Sequence, residues 1–222
     1  MENIVSKNLE IIRREIAPYN PTIIAVTKYG DAQDIIDAYD AGLRDFGESR
    51  VMDAITKINT LSEDIRKNSR FHLIGHLQTN KAKKAVATFD VIHSVDSYRL
   101  ALEISNEAHA IGKTQEILLQ INNANELQKF GFSKSELFEQ LTKIQKLPNI
   151  QIIGLMNMAP YEITDAELER LFKDIAGIKT QLETIHNIKL PELSMGMSND
   201  YIQATSAGST MLRIGSKLFN KN

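Results

Sequence analysis

Lys28 ends an apolar, β-branched run, TIIAVTKYG at residues 22–30. A buried strand that delivers an ammonium group at its end implies a salt bridge, or chemistry that needs a lysine on a rigid platform. One such chemistry is Schiff-base condensation of the amine with an aldehyde, which requires it to lose its proton in a partly dry site. Far along the chain, GMSNDY (196–201) and IGSK (214–217) combine glycines with serines. Glycine lets backbone approach an anion closely, and serine adds a hydroxyl donor. Ser198, Gly215 and Ser216 are therefore candidate phosphate contacts, although ordinary turns produce the same residue types. A helix starting near Asp200 would aim its positive end at the same place. Arg213 lies two residues before Gly215 and so shares its strand face. It is either paired with a carboxylate or in contact with a ligand. A guanidinium only donates, so beside a pyridine nitrogen it would keep that nitrogen unprotonated. A lysine and a phosphate pocket together suggest a phosphorylated aldehyde, of which pyridoxal 5′-phosphate is the commonest.

These residues need elements to position them, and the chain supplies an alternation. Strands are predicted at 22–28, 44–48, 71–75, 91–96, 116–122, within 150–159, at 192–198 and at 209–215. An N-terminal helix carries Ile4, Leu9, Ile12 and Ile16 on one face. Asp31 caps a second helix that ends at Gly42. The segment 49–67 has helical spacing, with Val51, Met52, Ile55 and Ile58 in register. Ser133 with Glu136 and Thr164 with Glu167 have the capping-box spacing ahead of two further helices. Continuous apolar strands alternating with amphipathic helices imply a parallel sheet covered by helices. Eight such units in 222 residues predict an α/β protein, a single (β/α)8 TIM barrel preceded by a helix, as one domain over 1–222. The alternative, an open doubly wound sheet, lacks its usual Gly-x-Gly-x-x-Gly after the first strand. In a barrel, sites lie at the C-terminal strand ends, where Lys28, Ser198 and Gly215-Ser216 all fall.

Composition narrows the partners. A net charge of −2 gives no electrostatic reason to expect nucleic acid or a membrane surface. The absence of cysteine excludes thiolate nucleophiles and cysteine-ligated zinc. No apolar run is long enough to span a bilayer and no signal peptide opens the sequence, so a cytoplasmic location is expected. His72, His76 and His93 could be offered as metal ligands, but their placement around predicted strand ends favours supporting roles, and no metal is expected. NKAKK (80–84) reads as a solvated helix face.

The blocks IIAVTK around Lys28, FGESRVMDA (46–54), FHLIGHLQTNKAKK (71–84), IIGLMNMAP (152–160) and LSMGMSNDYIQATSAGSTMLRIGSKLF (193–219) resemble the YggS/PROSC family of pyridoxal phosphate homeostasis proteins over essentially the whole chain. The resemblance implies a barrel like the N-terminal domain of alanine racemase. It implies that Lys28 carries the cofactor and that Ser198, Gly215 and Ser216 contact its phosphate, with Thr210 as a further member. It places Arg213 near the pyridine nitrogen. Ser49 stands where the family usually has asparagine. Glu126, Lys129 and Gly131 keep a family spacing in which Lys129 reads as a solvated loop residue.

A racemase needs two opposed acid/base groups and an electron sink. The sequence stops soon after the eighth strand, so a second domain is not expected, and an arginine at the ring nitrogen would weaken the sink. The expected function is therefore to hold pyridoxal phosphate on Lys28 and deliver it to apo-enzymes, as a monomer without a strong activity of its own. The alternatives are a weak amino-acid racemase or decarboxylase, and a class I aldolase.

Overall fold

The structure is a computed structural model and describes residues 3–123, 130–160 and 163–220. Eight parallel strands close a barrel in chain order. They are β1 (Thr22–Val26), β2 (Asp45–Glu48), β3 (Arg70–Leu73), β4 (Val91–Val95), β5 (Gln115–Gln120), β6 (Ile150–Met156), β7 (Glu192–Met197) and β8 (Met211–Ile214). Around them run α1 (Ile4–Glu15), α2 (Ala32–Asp40), α3 (Val51–Asn59), α4 (Glu63–Lys67), α5 (Ala82–Thr88) and α6 (Tyr98–Ala110). The rest are α7 (Lys134–Ile144), α8 (Asp165–His186), α9 (Tyr201–Ser206) and α10 (Ser216–Phe219). β1 is the seam. Ile24 lies opposite Asp45 of β2 on one side and Arg213 of β8 on the other.

Strand alternation divides the interior in two. Outward-facing Ile23, Ala25, Phe46, Leu73, Ile92, Leu119, Leu155 and Leu212 pack against helix stripes such as Ile35, Ile104, Leu141 and Phe172. A smaller cluster of Val91, Leu118, Ile153 and Met156 fills part of the bore. The remainder of the bore is polar: His72, His93, Ser194 and Arg213 are all buried.

The predicted capping boxes are present, closed by Ser133 with Glu136 and by Thr164 with Glu167. Two local readings change, and one element is added. β1 stops at Val26, so Lys28 sits in the turn beyond the strand. The segment 49–67 forms two helices, because the Ser62 side chain accepts from Ile65 N–H at 3.3 Å and starts a new one while Leu61 stays buried. A short helix, α10, follows the last strand.

One buried polar clamp ties β1 to β2 beside Lys28. Glu48 Oε1 accepts from Thr27 Oγ1 at 2.6 Å and from Lys57 Nζ at 2.7 Å, and Lys57 Nζ also donates to the Thr27 carbonyl at 2.6 Å. Both charged side chains are largely removed from water, at 11% and 2% exposure. Lys57→Met is expected to lower unfolding free energy by about 3–5 kcal/mol in urea titrations, because it leaves a buried carboxylate without its cation. Adding Glu48→Gln to it is expected to recover part of the loss. Phe172→Ala, in the fully buried face of α8, is expected to cost about 3–5 kcal/mol by the same measurement.

Candidate functional site

The C-terminal ends of the strands surround a cavity of about 690 Å3, within the ordinary range for small-molecule sites. Its apolar surface comes from Val26, Ile74, Met158, Met197 and Leu168. Lys28, Ser49, Ser198, Arg213, Gly215 and Ser216 also line it. Five of the six candidate residues from the sequence are therefore in one place. Thr210 is not among them. It precedes β8 at the opposite, N-terminal end, where its hydroxyl donates to Glu192 Oε2 and accepts from Leu193 N–H at 2.8 Å. The LSMGMS-to-IGSK block is contiguous in sequence, but a strand separates Thr210 from the cavity.

One wall suits an anion. The backbone N–H groups of Gly215 and Lys217 converge on Ser198 Oγ at 3.2 and 3.3 Å, long bonds to a neutral hydroxyl. They are donors that a charged oxygen would satisfy better. A Cβ added at Gly215 would meet Val26 only at ordinary van der Waals distance, with the nearest atom 3.4 Å away. Packing within the chain does not require glycine there. At Gly75 it does, because a Cβ would run into the Ser49 backbone where β2 and β3 end close together. The start of α9 differs from expectation. The Asp200 carboxylate accepts from Met197 N–H there, so an arriving anion would meet a carboxylate at that helix end.

Lys28 stands at the rim and is exposed, with its ammonium 4.9 Å from the Tyr29 ring centre. It is fixed through its backbone by the Thr27 clamp. Arg213 is the opposite case, buried at the base of the cavity. Nη1 donates to the Ser194 carbonyl at 2.7 Å and to Ser194 Oγ at 2.6 Å, and Nη2 donates to the Asn157 carbonyl at 2.7 Å. Among the described residues no carboxylate is bonded to it. Burial pushes its pKa down to about 10, against the pull of the Asp200 charge, so it remains a cation at neutral pH. Three of its five N–H groups are held by the chain. The Nε–H and one Nη2–H have no bonding partner among the described residues.

Behind Arg213 lies a set of residues that the sequence reading did not assemble. Ser194, His93, His72 and Asp45 hydrogen-bond in succession across the bore. A signal existed: polar residues at bore-facing positions of otherwise apolar strands. Their meeting depends on register shifts in β4 and β7 that no sequence pattern reveals. His76 takes another path, 3.2 Å from Asp96 and stacked on Phe130. Among the described residues no cluster of metal-ligating side chains occurs. Glu126 and Lys129 lie outside the described residues.

Comparison with known proteins places this geometry in a family. The chain matches the family "Alanine racemase, N-terminal domain" over residues 3–222. It is 39% identical over 204 residues to the pyridoxal phosphate homeostasis protein of Synechocystis, covering 91% of this chain and 92% of that one. It is 34% identical to the protein of the same name from Escherichia coli K12, covering 98% of this chain and 96% of that one. PipY of Synechococcus elongatus, solved with pyridoxal phosphate bound, superposes with a TM-score of 0.87 at 37% identity, covering 97% of this chain and all of that one. An alanine racemase from Clostridium difficile, 15% identical with a TM-score of 0.81, shares the fold. The chain belongs to the alanine racemase N-terminal domain family and, within it, to the pyridoxal phosphate homeostasis proteins.

Proposed function

We propose that this protein binds pyridoxal 5′-phosphate in the cavity at the strand ends, tethers it through Lys28, and passes it to apo-enzymes. One observation carries the reading. A single cavity has an anion-suited wall at Ser198, Gly215 and Ser216, a buried arginine with unused donors at its base, and a lysine at its rim. Support also comes from the relatives, which are named for pyridoxal phosphate homeostasis, and from PipY, which was solved with the cofactor.

The cofactor supplies an aldehyde that an amine can capture and a phosphate that donors can hold. The chain's residues divide the work. Gly215 and Lys217 N–H, with the Ser198 and Ser216 hydroxyls, hold the phosphate. Val26, Ile74, Met158 and Met197 exclude water from the ring. Arg213, cationic and without a lone pair to offer, would donate at the ring nitrogen and keep a proton off it. An unprotonated ring withdraws electrons weakly, which suits storage better than turnover of amino acids. The exposure of Lys28 suits hand-over, because an acceptor protein could reach the tether from solvent. Among the described residues no helix is long and apolar enough to cross a membrane; a cytoplasmic location and a monomeric state belong to the same proposal.

Adding pyridoxal phosphate to the purified protein is expected to produce a visible absorbance band. Borohydride reduction and mass spectrometry are expected to place a pyridoxyl group on the Lys28 peptide, and Lys28→Ala is expected to abolish both signals. A colourless protein, or an adduct on another peptide, would refute the assignment. So would racemisation of alanine at an enzyme-like rate that is lost in Lys28→Ala, which would make the protein a catalyst. Gly215→Ala is expected to keep its melting temperature within a few degrees, yet to bind pyridoxal phosphate about 10-fold or more weakly, because the added methyl would crowd the N–H wall that would hold the phosphate.

A further inference from the structure

The polar residues of the bore form one continuous chain of hydrogen bonds. Arg213 Nη1 lies 2.6 Å from Ser194 Oγ, and that oxygen lies 2.9 Å from His93 Nδ1. His93 Nε2 lies 2.8 Å from His72 Nδ1, and His72 Nε2 lies 2.9 Å from Asp45 Oδ1. The contact between His93 on β4 and Ser194 on β7 crosses the barrel between strands that are not neighbours. Both imidazoles and the serine are fully buried, whereas the Asp45 side chain is 23% exposed at the other end of the bore.

The two ends fix the direction of every link. A guanidinium only donates and a carboxylate only accepts. Ser194 Oγ therefore accepts from Arg213, and its own proton is free to go to His93 Nδ1. His93 then carries its proton on Nε2 and gives that bond to His72 Nδ1. His72 in turn carries its proton on Nε2 and gives it to Asp45. This is the arrangement in which both rings are neutral and every polar atom of the chain is paired. Reversing His93 would oppose the serine proton to a ring N–H, and reversing His72 would set a bare ring nitrogen against the carboxylate. A buried polar atom left unpaired costs about 1–3 kcal/mol, enough to hold one arrangement.

We propose that Asp45, His72, His93 and Ser194 are positioning residues for Arg213, a one-way hydrogen-bond chain that locks both histidines as neutral Nε2–H tautomers and orients the guanidinium from behind. With Nη1 committed to Ser194, the Nε–H and the second Nη2–H are left for the cavity. The surroundings oppose a positive charge in the middle of the chain: burial, then His72, Arg213 and Arg70, keep His93 from taking up a second proton. Arg70 of β3 is itself paired with Glu116 of β5, and Asp200 acts on Arg213 from beyond β7. Val91, Leu118, Ile153 and Met156, which pack the apolar part of the bore, carry no charge, and Glu192, two residues before Ser194, is engaged by Thr210. The consequence for the ligand rests on the function proposed above, whereas the chain and its direction do not.

The test uses the ligand-free protein, so its outcome is independent of cofactor binding. Histidine-selective 15N NMR at neutral pH, assigned with His72→Gln and His93→Gln, is expected to show both rings protonated on Nε2 and bare on Nδ1. A ring protonated on Nδ1, or a doubly protonated ring, overturns the proposal in the unmodified protein. In Asp45→Leu, which cannot accept a hydrogen bond, part of the His72 and His93 population is expected to shift to Nδ1–H, and the Arg213 Nε–H resonance is expected to move. Asp45→Asn keeps an acceptor oxygen and is expected to retain the original spectrum. If Asp45→Leu folds and leaves both tautomers and the Arg213 resonance unchanged, Asp45 does not set the chain and the proposal fails.

Discussion

The pairing of β1 with β8 is the constraint on which the site depends. Those two strands are separated by nearly the whole chain, and parallel pairing sets Thr22 beside Met211 and Ile24 beside Arg213. Closure gives every strand two neighbours and leaves no open edge. It also brings the turn carrying Lys28 level with Gly215 and Ser216. Without closure, the lysine and the anion wall would lie at opposite margins of a sheet and share no cavity.

A closed barrel has a bore that must be filled, and this one is filled in two ways. Val91, Leu118, Ile153 and Met156 pack one part with apolar side chains. The other part holds a buried cation, which is costly unless its donors are satisfied. Among the described residues backbone carbonyls and a serine hydroxyl, not a carboxylate, accept from Arg213. Burial still lowers its pKa, but not far enough to discharge it at neutral pH. A guanidinium can be kept charged at such a site where a lysine ammonium would be easier to neutralise. The site thus has its fixed charge at the base and its reactive amine at the wet rim, a division that separates orienting a ligand from capturing it.

The local devices around the rim follow the same logic of fixing backbone and leaving side chains free. Thr27, Glu48 and Lys57 hold the turn next to Lys28 by three hydrogen bonds, one fully and two partly buried, while the Lys28 side chain is exposed. At Gly75 the absence of a side chain lets two strand ends meet. At Gly215 a side chain would meet Val26 only at ordinary van der Waals distance, so packing alone does not demand glycine.

Much of this was legible in the residues. The repeated apolar runs and amphipathic stripes determined eight strands and their covering helices, because periods of two and 3.6 residues are local properties of the backbone. The strand-end rule then brought Lys28, Ser198, Gly215 and Ser216 forward, and the two-residue strand period joined Arg213 to them. Thr210 entered only through the family resemblance, and the structure sets it apart from the other five, because strand β8 carries it to the opposite end of the barrel from Gly215. What the tertiary structure alone decided is the bore. Asp45, His72, His93, Ser194 and Arg213 come from five strands, and their order along the hydrogen-bond chain depends on barrel closure and on shifts of register. A sequence states which face of a strand each residue occupies. It does not state which residue stands across the barrel, because that distance is set by the packing of all eight strands together.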